Sequence, residues 1–530
     1  MYLIMKNFFF PFFALLLLCA CSKATQDGDF ADSESSDSLP GHEMIVLGRQ
    51  LDDPYSVENM TKALEALYPT KADRINVDPT HLYVRFLPSN EKEYDALLER
   101  GLDLLDHPLD YEIVREGDYY HDPSVEEGKI TWQYAVVSPC FDFGTGVRYE
   151  ILDRCHIPVT MPDMKSDENG IDWEAVERKA YEISGNASRL QPVTKAGGNS
   201  PKGRITIVDE ELSAEAVGVK GVMVSCNSFV KFGKAYTDEE GRYQMSTHFS
   251  SKPRYRLCFK NKKGFCIGFN LLLVPASVSS LGKGETTGLD CKVTKNSDRM
   301  LFTRCVVNNS AYDYYEQCLG DKKSIPTPPA NLRIWLFQAL SSSSAVMLQQ
   351  GACIDSSVLA EYLGQYLTLV KMFLPDVTLG IKSAHSYRDI YATTVHELSH
   401  ASHYMAVGND YWDAYATFVL SSFVTSGFVT YGVGTEKNHG YCEVGEMWAY
   451  YMQSSMVNER YQGETKRFYG MNYWFHPQIL LNLEERGLDR YKIFAALGPD
   501  VVDKEMLRKK LLSLYPEFKS AITQAFARYF

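Results

Sequence analysis

The chain after residue 42 switches between strand-like and helix-like spacing of its hydrophobic residues. Three segments have the alternating or apolar pattern of strands: 43–51, 81–88 and 102–113. Between them lie two segments with helical spacing, the first with Ser56 as its N-cap and the second starting at Asn90 and ending at Gly101. This β-α-β-α-β order predicts an α+β domain over residues 43–195, with helices packed on a small mixed sheet. Its role can be that of a structural module or of an inhibitory pro-segment.

The pattern changes after a stretch rich in Gly, Ser and Pro, residues 193–204. Short β-like runs separated by turns fill residues 201–290 and predict a β-sandwich. Further strand- and helix-patterned segments follow, among them 333–337, 358–374 and 376–382. They predict an α/β domain, rich in helix, over residues 295–530. A chain of 530 residues is too long for one core, and about 150 residues per domain agrees with this multidomain division.

Composition and charge narrow the classes of function. The net charge of −13 and the absence of a basic stripe argue against a nucleic-acid partner, because phosphate binding needs clustered Lys and Arg. Aromatic residues make up 13% of the chain, which argues against disorder and suits binding surfaces. The twelve cysteines show no CxxC zinc pattern. Cys258 and Cys266 flank a turn-like segment and are candidates for a disulfide.

The N-terminus has the pattern of an exported lipoprotein. An apolar run of about 13 residues follows an early lysine; this is short of the roughly 20 residues of a spanning helix and fits a signal peptide. The run ends in the sequence LCAC, residues 18–21, which resembles a bacterial lipobox. The resemblance implies that residues 1–21 are a lipoprotein signal and that Cys21 is lipidated. The alternative is an ordinary secretory signal that happens to end near a cysteine.

The next segment, residues 22–42, is acidic and rich in Ser, which predicts a solvated tether. An acidic stretch just after the lipidated cysteine also resembles the export signals of Bacteroidetes surface lipoproteins. Ser22 suits delivery to the outer membrane. Together these resemblances imply a cell-envelope protein anchored to the outer membrane, with its domains either periplasmic or surface-exposed.

Two stretches of the predicted sandwich carry a family resemblance. GVKGVMVSC (218–226) and YTDEEGRYQM (236–245) resemble the carboxypeptidase regulatory-like β-sandwich family over about 70 residues. The resemblance implies an immunoglobulin- or transthyretin-like sandwich that is an accessory module, so we assign no chemistry to it. Gly241 lies in the turn of the second stretch, where a positive φ costs glycine little.

The segment HELSH, residues 396–400, is the strongest signal of chemistry in the chain. On a helix, His396 and His400 project from one face about 6 Å apart, so both imidazoles can bind one Zn²⁺. Glu397 lies beside them and can act as a general base. Ser386 and Asp389 form a capping-box pattern at the start of this predicted helix. Chance would give this spacing roughly 0.03 times per chain, so we predict a zinc site.

Two histidines leave zinc underligated, and His403 is an obvious further candidate. Seven residues rise about 10.5 Å along a helix, however, whereas ligands of one tetrahedral zinc lie about 3.4 Å apart. A straight helix therefore cannot bring His396, His400 and His403 to one ion. Metzincins have a Gly at this position and a later His, and this sequence has neither. We predict that His403 lies outside the ligand set, next to the site or at the surface.

A downstream helical segment offers the third ligand. GEMWAY, residues 445–450, resembles the segment of gluzincin metallopeptidases that supplies a glutamate to zinc, with Glu446 at the position of that glutamate. Gly445 departs from the family pattern, which has Asn there. Glu443 is the alternative ligand, and it can instead orient His396 or His400. The resemblance also implies a zincin-like fold, in which a strand before the zinc helix, here 376–382, often forms the edge of the substrate cleft.

A zinc peptidase also needs a donor for the developing oxyanion. We name His439 and Tyr441 as catalytic candidates, with Tyr450 and Tyr451 as further ones. The hydrophobic stretch 411–432 between the two motifs is predicted to be core, and the alternative is a contribution to substrate pockets.

The function that these resemblances imply is a lipid-anchored zinc metallopeptidase acting on a peptide or protein. His396, His400 and Glu446 would bind Zn²⁺, and Glu397 would be the base. The alternative is a zincin-like binding protein or pseudo-enzyme that recognises protein, glycan or cell-envelope partners.

Overall fold

The computed structural model describes residues 22–23, 44–70, 75–117, 119–126, 129–144, 146–158, 166–167, 169–192, 200–269, 277–319, 325–338, 341–352, 375–425, 431–462 and 465–529. These residues form an α+β fold of several sheets with eleven α-helices among them. Ser22–Lys23 form the first strand, β1. Cys21, the rest of the predicted tether and the predicted helix over 358–374 lie outside the described residues. Within the described part, no helix is both long and apolar enough to cross a bilayer.

The N-terminal region contains the elements β2 (Val46–Gln50), α1 (Val57–Leu67), β3 (His81–Leu87), α2 (Glu91–Glu99), β4 (Tyr111–Arg115), β5 (Gln133–Val137), β6 (Arg148–Cys155) and α3 (Trp173–Ile183), followed by a short 3₁₀ helix, Ala187–Arg189. The two predicted helices and the strands predicted at 43–51 and 81–88 are confirmed, whereas the segment 102–113 is a strand only from Tyr111 onward. The side chains of Ser56 and Asn90 cap α1 and α2 by accepting a backbone N–H three residues ahead.

The predicted mixed sheet is wrong. β2 pairs with β4, and β3 lies between β5 and β6, and every one of these pairs is antiparallel. The strands β5 and β6 come from a stretch for which we predicted no strands. Alternate residues of β3, including Val84 and Phe86, bury against Ala135 and Val137 of β5. This non-local packing selects the partners of β3.

The central region forms two four-stranded sheets. Its strands are β7 (Lys202–Val208), β8 (Ala216–Gly218), β9 (Met223–Ser228), β10 (Lys231–Tyr236), β11 (Arg242–Gln244), β12 (Arg254–Cys258), β13 (Cys266–Phe269), β14 (Val278–Lys283) and β15 (Cys291–Val293). One sheet has the order β10-β9-β12-β14, and in the other β7 pairs with β11, β8 and β15. Ile205 from one sheet and Leu257 from the other enter the same buried cluster. Gly241 has φ +77, as its turn predicted, and a Cβ there would lie 2.0 Å from the Ile205 carbonyl oxygen.

The C-terminal region packs helices on a five-stranded sheet. Its elements are α4 (Arg299–Cys318), β16 (Arg333–Phe337), β17 (Ser342–Ala345), β18 (Val377–Gly380), α5 (Tyr387–Val407), α6 (Asn409–Thr425), α7 (His439–Arg460), α8 (Gln478–Glu485), α9 (Arg490–Phe494), α10 (Lys504–Leu514) and α11 (Lys519–Phe526). The sheet has the order β1-β17-β18-β16-β13. The strand predicted at 376–382 exists as β18, but it lies inside the sheet. Its expected place at the cleft edge is wrong, because β17 pairs outside it.

The strand β13 belongs to this last sheet although it comes from the range predicted for the sandwich. It pairs with β16 in parallel. Cys258 and Cys266 are both free thiols, so the predicted disulfide is wrong. The turn places Lys260, not Cys258, opposite Cys266. One buried hydrophobic cluster runs from the central sheets through α4 into the C-terminal helices.

Two buried carboxylates bond to segments distant from them in the chain. Glu177 on α3 accepts a hydrogen bond from Lys231 on β10 at 2.7 Å, and both side chains are at most 5% exposed. Tyr55 also donates to Glu177, so the ion pair joins the N-terminal region to the central sheets.

Asp376, just before β18, accepts the backbone N–H groups of Arg333 at 3.0 Å and Gln350 at 3.1 Å. Burial raises the pKa of Asp376 to about 6, despite the opposing effect of these hydrogen bonds.

Candidate metal centre

The two predicted histidine ligands lie in the middle of α5. This helix starts with a complete capping box, in which Ser386 and Asp389 each bond the other's backbone N–H. It ends at Gly408, which has φ +78. Eighteen of its twenty-one residues are buried, so the helix is enclosed on nearly every side. His396 and His400 are both fully buried, with ring centroids 4.9 Å apart, as the i, i+4 spacing predicted.

Glu446 on α7 meets both imidazoles. Its Oε2 lies 3.4 Å from His396 Nε2, and its Oε1 lies 3.3 Å from His400 Nε2. These separations match the distance of about 3.4 Å between two ligands of a tetrahedral zinc. Glu397 is also fully buried, and it offers an oxygen within 4.8 Å of a nitrogen of each histidine. The structure therefore brings together His396, Glu397, His400 and Glu446.

The pKa shifts of His396 and Glu446 favour the forms that bind a metal. Burial lowers the pKa of His396, although the nearby carboxylate of Glu446 acts in the opposite direction. Burial also tends to raise the pKa of Glu446, but the nearby imidazoles outweigh burial and hold it well below its ordinary value. Neutral imidazoles and an ionised carboxylate are the forms that bind a divalent cation.

Gln453 orients His396 and was missed from the sequence. Its Oε1 lies 3.2 Å from His396 Nδ1. An amide oxygen can only accept, so Nδ1 carries the proton and Nε2 presents a lone pair towards Glu446. Two acceptors that face each other at 3.4 Å repel unless a cation lies between them. Gln453 is seven residues after Glu446 on α7, so helical spacing from the predicted ligand was the signal that could have found it.

Tyr415 on α6 positions the carboxylate and was also missed. Its hydroxyl donates to Glu446 Oε1 at 2.6 Å, and its ring centroid lies 5.5 Å from that of His400. Gly445 makes room for this ring, because a Cβ at that position would lie 3.3 Å from Tyr415 Cε2. The predicted core character of 411–432 is confirmed for the buried residues of α6, but one of them reaches the site.

Glu443 has a different role from either that we considered. Its Oε2 accepts the backbone N–H of Lys504 at 2.9 Å, and its Oε1 lies 3.1 Å from Lys504 Nζ. It thus binds the N-terminus of α10, and the expected orientation of His396 or His400 by Glu443 is wrong. Gln453 takes that role for His396.

The catalytic candidates His439 and Tyr441 are held elsewhere. His439 is the first residue of α7, two turns before Glu446, and its Nδ1 lies 2.8 Å from the Glu436 carbonyl oxygen. Tyr441 packs on Tyr411, with ring centroids 4.7 Å apart. Among the described residues, neither stacks on nor hydrogen-bonds to the histidine pair or Glu446.

His403 lies outside the ligand group, as predicted, but it is fully buried, so a surface position is wrong. Its ring packs between Tyr411 and Trp412, at 5.2 and 5.9 Å. Burial, with a smaller effect of His400, lowers the pKa of His403 to about 3. The ring is therefore neutral at physiological pH.

Three tyrosines, Tyr431, Tyr450 and Tyr473, form a cluster next to His396, which we call the tyrosine wall. The ring of Tyr450 lies 4.4 Å from that of His396, and its hydroxyl lies 3.2 Å from that of Tyr431. Tyr473, missed from the sequence, packs at 5.7 Å from Tyr450. Burial raises the pKa of Tyr473, and the charge of Glu446 raises it further. Tyr451 faces away and packs on Trp448.

Comparison of this chain with protein-family models, with curated proteins and with solved structures finds no match.

Proposed function

We propose that this protein is a zinc-dependent peptidase of the gluzincin type, with a zincin-like C-terminal domain over 295–530. The observation that carries the proposal is the meeting of His396, His400 and Glu446 at separations of 3.3 and 3.4 Å. Two imidazoles and one carboxylate are a donor set typical of catalytic zinc. These three residues would hold the metal, and Gln453 and Tyr415 would fix their orientation.

When bound, zinc would polarise the substrate carbonyl and lower the pKa of a coordinated water. Among the residues that the structure describes, Glu397 is the one further carboxylate placed beside both histidines. In this proposal it takes a proton from the attacking water and passes it to the leaving amine.

Tyr473 is the residue that we assign to the developing oxyanion in place of His439 and Tyr441. Its ring packs on Tyr450, which in turn packs on His396. A tyrosine hydroxyl is protonated at neutral pH, so it can donate a hydrogen bond to the developing oxyanion.

The outer edge of β17 supports an extended peptide as the substrate. This edge pairs antiparallel with Ser22–Lys23 of the same chain. A strand edge that takes one extended segment can take another by β-augmentation, in which backbone hydrogen bonds give affinity without sequence specificity. The lipid at Cys21 would anchor the protein to the outer membrane, and the carboxypeptidase regulatory-like sandwich over 201–290 would be an accessory module.

The test uses the purified full chain. We expect about one zinc per chain by elemental analysis and cleavage of a mixed peptide library. Glu397→Gln should keep the zinc and lose cleavage by about 10²–10⁴-fold, whereas His400→Ala should lose both. Tyr451→Phe, on the far side of α7, is the matched control and should change neither. Wild-type protein without zinc, or a Glu397→Gln variant as active as the wild type, would refute the proposal.

One observation favours the binding-protein alternative: His396, Glu397, His400 and Glu446 have no exposed surface. A substrate reaches such a group only if the surrounding residues move. Zinc binding with no cleavage by either the wild type or Glu397→Gln would support this alternative.

A further inference from the structure

A second group of carboxylates lies in the N-terminal region, which the proposed peptidase site does not use. A cavity of about 660 Å³ opens between β2, β3, β4 and β6. Five of its lining residues are aspartates: Asp52, Asp53, Asp110, Asp122 and Asp153. Among the lining residues only Arg85 is a Lys or Arg, and its guanidinium is paired with Glu150. The cavity is therefore strongly negative.

Asp53 gives the strongest indication of a ligand, because it is buried and one of its carboxylate oxygens has no hydrogen-bond partner among the described residues. Its side chain belongs to the cavity lining, and the residue is only 6% exposed. Its Oδ1 accepts the Tyr55 backbone N–H at 2.8 Å, but its Oδ2 has no hydrogen-bond partner among the described residues. A buried carboxylate oxygen without a partner lowers the stability of the fold unless it binds a proton or a cation.

The groups around Asp53 have the spacing of metal ligands. Asp53, Asp153 and Cys155 each offer one ligand atom, and these atoms lie within 4.8 Å of one another. Asp153 and Cys155 are two residues apart on β6, so their side chains project from the same face. In this group the carboxylates of Asp53 and Asp153 supply the oxygen donors.

Two further carboxylates add negative charge next to this pair. Asp52 and Asp110 line the same cavity as Asp53 and Asp153. Asp110 is held in place by Tyr83, whose hydroxyl donates to its Oδ1 at 3.1 Å. None of these four aspartates is paired with a Lys or Arg among the described residues.

We propose that Asp53 and Asp153 bind a divalent cation that prefers oxygen ligands, Ca²⁺, at the wall of this cavity. Carboxylate oxygens are its preferred donors, and its flexible coordination of six to eight oxygens tolerates ligands from separate segments together with water from the open cavity. The cation would join the loop after β2 to β6 and so stabilise the N-terminal region. This inference is independent of the proposed peptidase activity.

The experiment titrates Ca²⁺ into the metal-stripped full chain by isothermal calorimetry and follows the melting temperature in parallel. We expect one site and a rise in melting temperature with Ca²⁺. Asp53→Asn and Asp153→Asn should each weaken binding by more than about tenfold, because each removes one charged ligand. Asp53→Asn keeps an oxygen to accept the Tyr55 N–H, so the fold should survive. His396→Ala should bind Ca²⁺ like the wild type.

Asp122→Asn is the matched control, because Asp122 lines the same cavity but its Oδ1 is engaged by both polar groups of Ser124. It should bind Ca²⁺ within about threefold of the wild type. No binding by the wild type up to about 5 mM Ca²⁺, above the weakest class of protein sites, would overturn the proposal. Unchanged binding by both Asp53→Asn and Asp153→Asn would overturn it too, as would an Asp122→Asn variant as weak as Asp53→Asn.

Discussion

The contact between Gln453 and His396 allows a sharp test of the proposed metal centre, because Gln453 fixes an imidazole tautomer without being one of the proposed ligands. Replacement of Gln453 by Met keeps the length and burial of the side chain but removes the oxygen that lies 3.2 Å from Nδ1. The imidazole proton can then move to Nε2, where it faces Glu446 Oε2 at 3.4 Å. A proton in that position occupies the place of the metal, so zinc affinity should fall.

The expected size of this effect follows from the role of such partners in other metal sites. Loss of an outer hydrogen bond to a ligating histidine weakens metal binding by about 10–100-fold. This corresponds to about 1.4–2.8 kcal/mol of binding free energy. The metal-free protein should lose less, about 1 kcal/mol of unfolding free energy, because it loses a single neutral hydrogen bond.

The assay is competition for zinc between the metal-stripped protein and a chromogenic chelator, with urea unfolding of the same samples. Gln453→Glu is the rescuing control, because it restores an acceptor oxygen and should return zinc affinity to the wild-type value or above. A Gln453→Met variant that binds zinc within twofold of the wild type would refute the role of this contact. So would a Gln453→Glu variant as weak as Gln453→Met.

Three further predictions test other parts of the molecule. Tyr473→Phe should lower kcat for peptide cleavage by about 10²–10³-fold at unchanged zinc content, and an unchanged kcat would remove Tyr473 from the oxyanion site. The pKa of Asp376 is about 6 in the folded protein, whereas its ordinary value is 3.8. Between these two pH values the folded state therefore keeps a proton on Asp376 that the unfolded state has lost. Its contribution to the unfolding free energy should therefore fall, on the order of 2–3 kcal/mol, as pH rises from about 4 to 6 and stay constant above. Urea titrations of the wild type and Asp376→Asn at several pH values should differ in this slope, and equal slopes would contradict the prediction. Lys231→Met should lower the unfolding free energy by about 3–5 kcal/mol, because it leaves the buried Glu177 carboxylate without its cation. Lys62→Met, which removes an exposed ion pair, is the control, and an equally small loss in both variants would contradict the prediction.

The parts of the site that the sequence predicted correctly are those set by local rules. The helix α5 has a capping box at Ser386 and no Pro or Gly until Gly408, and His396 and His400 follow the i, i+4 rule. Helix geometry alone also placed His403 outside the ligand group. These conclusions needed no knowledge of any other element.

The choice between Glu443 and Glu446 shows where local rules end. The two residues are three positions apart on α7, which separates their directions by only about 60°. Glu443 turns to the N-terminus of α10, where Lys504 binds both of its oxygens, whereas Glu446 turns to the histidines. That difference depends on a helix 60 residues later in the chain, which no spacing around Glu443 could reveal. The prediction of strand pairing was wrong for the same reason, because the partners of β3 begin about 50 residues after it.

Gly445 is the position where the sequence departs from the gluzincin pattern, and the structure gives this departure a physical reason. A Cβ at residue 445 would lie 3.3 Å from Tyr415 Cε2 and 3.9 Å from His400 Cε1. A Cβ at this contact would require the Tyr415 ring to shift by a few tenths of an ångström, which would lengthen its 2.6 Å hydrogen bond to Glu446. A hydrogen bond to a charged group contributes about 1.5–3 kcal/mol, so a longer bond would hold the carboxylate less firmly between the histidines. Gly445 and Tyr415 therefore act as one unit that holds Glu446, and a substitution at either position should weaken the same contact.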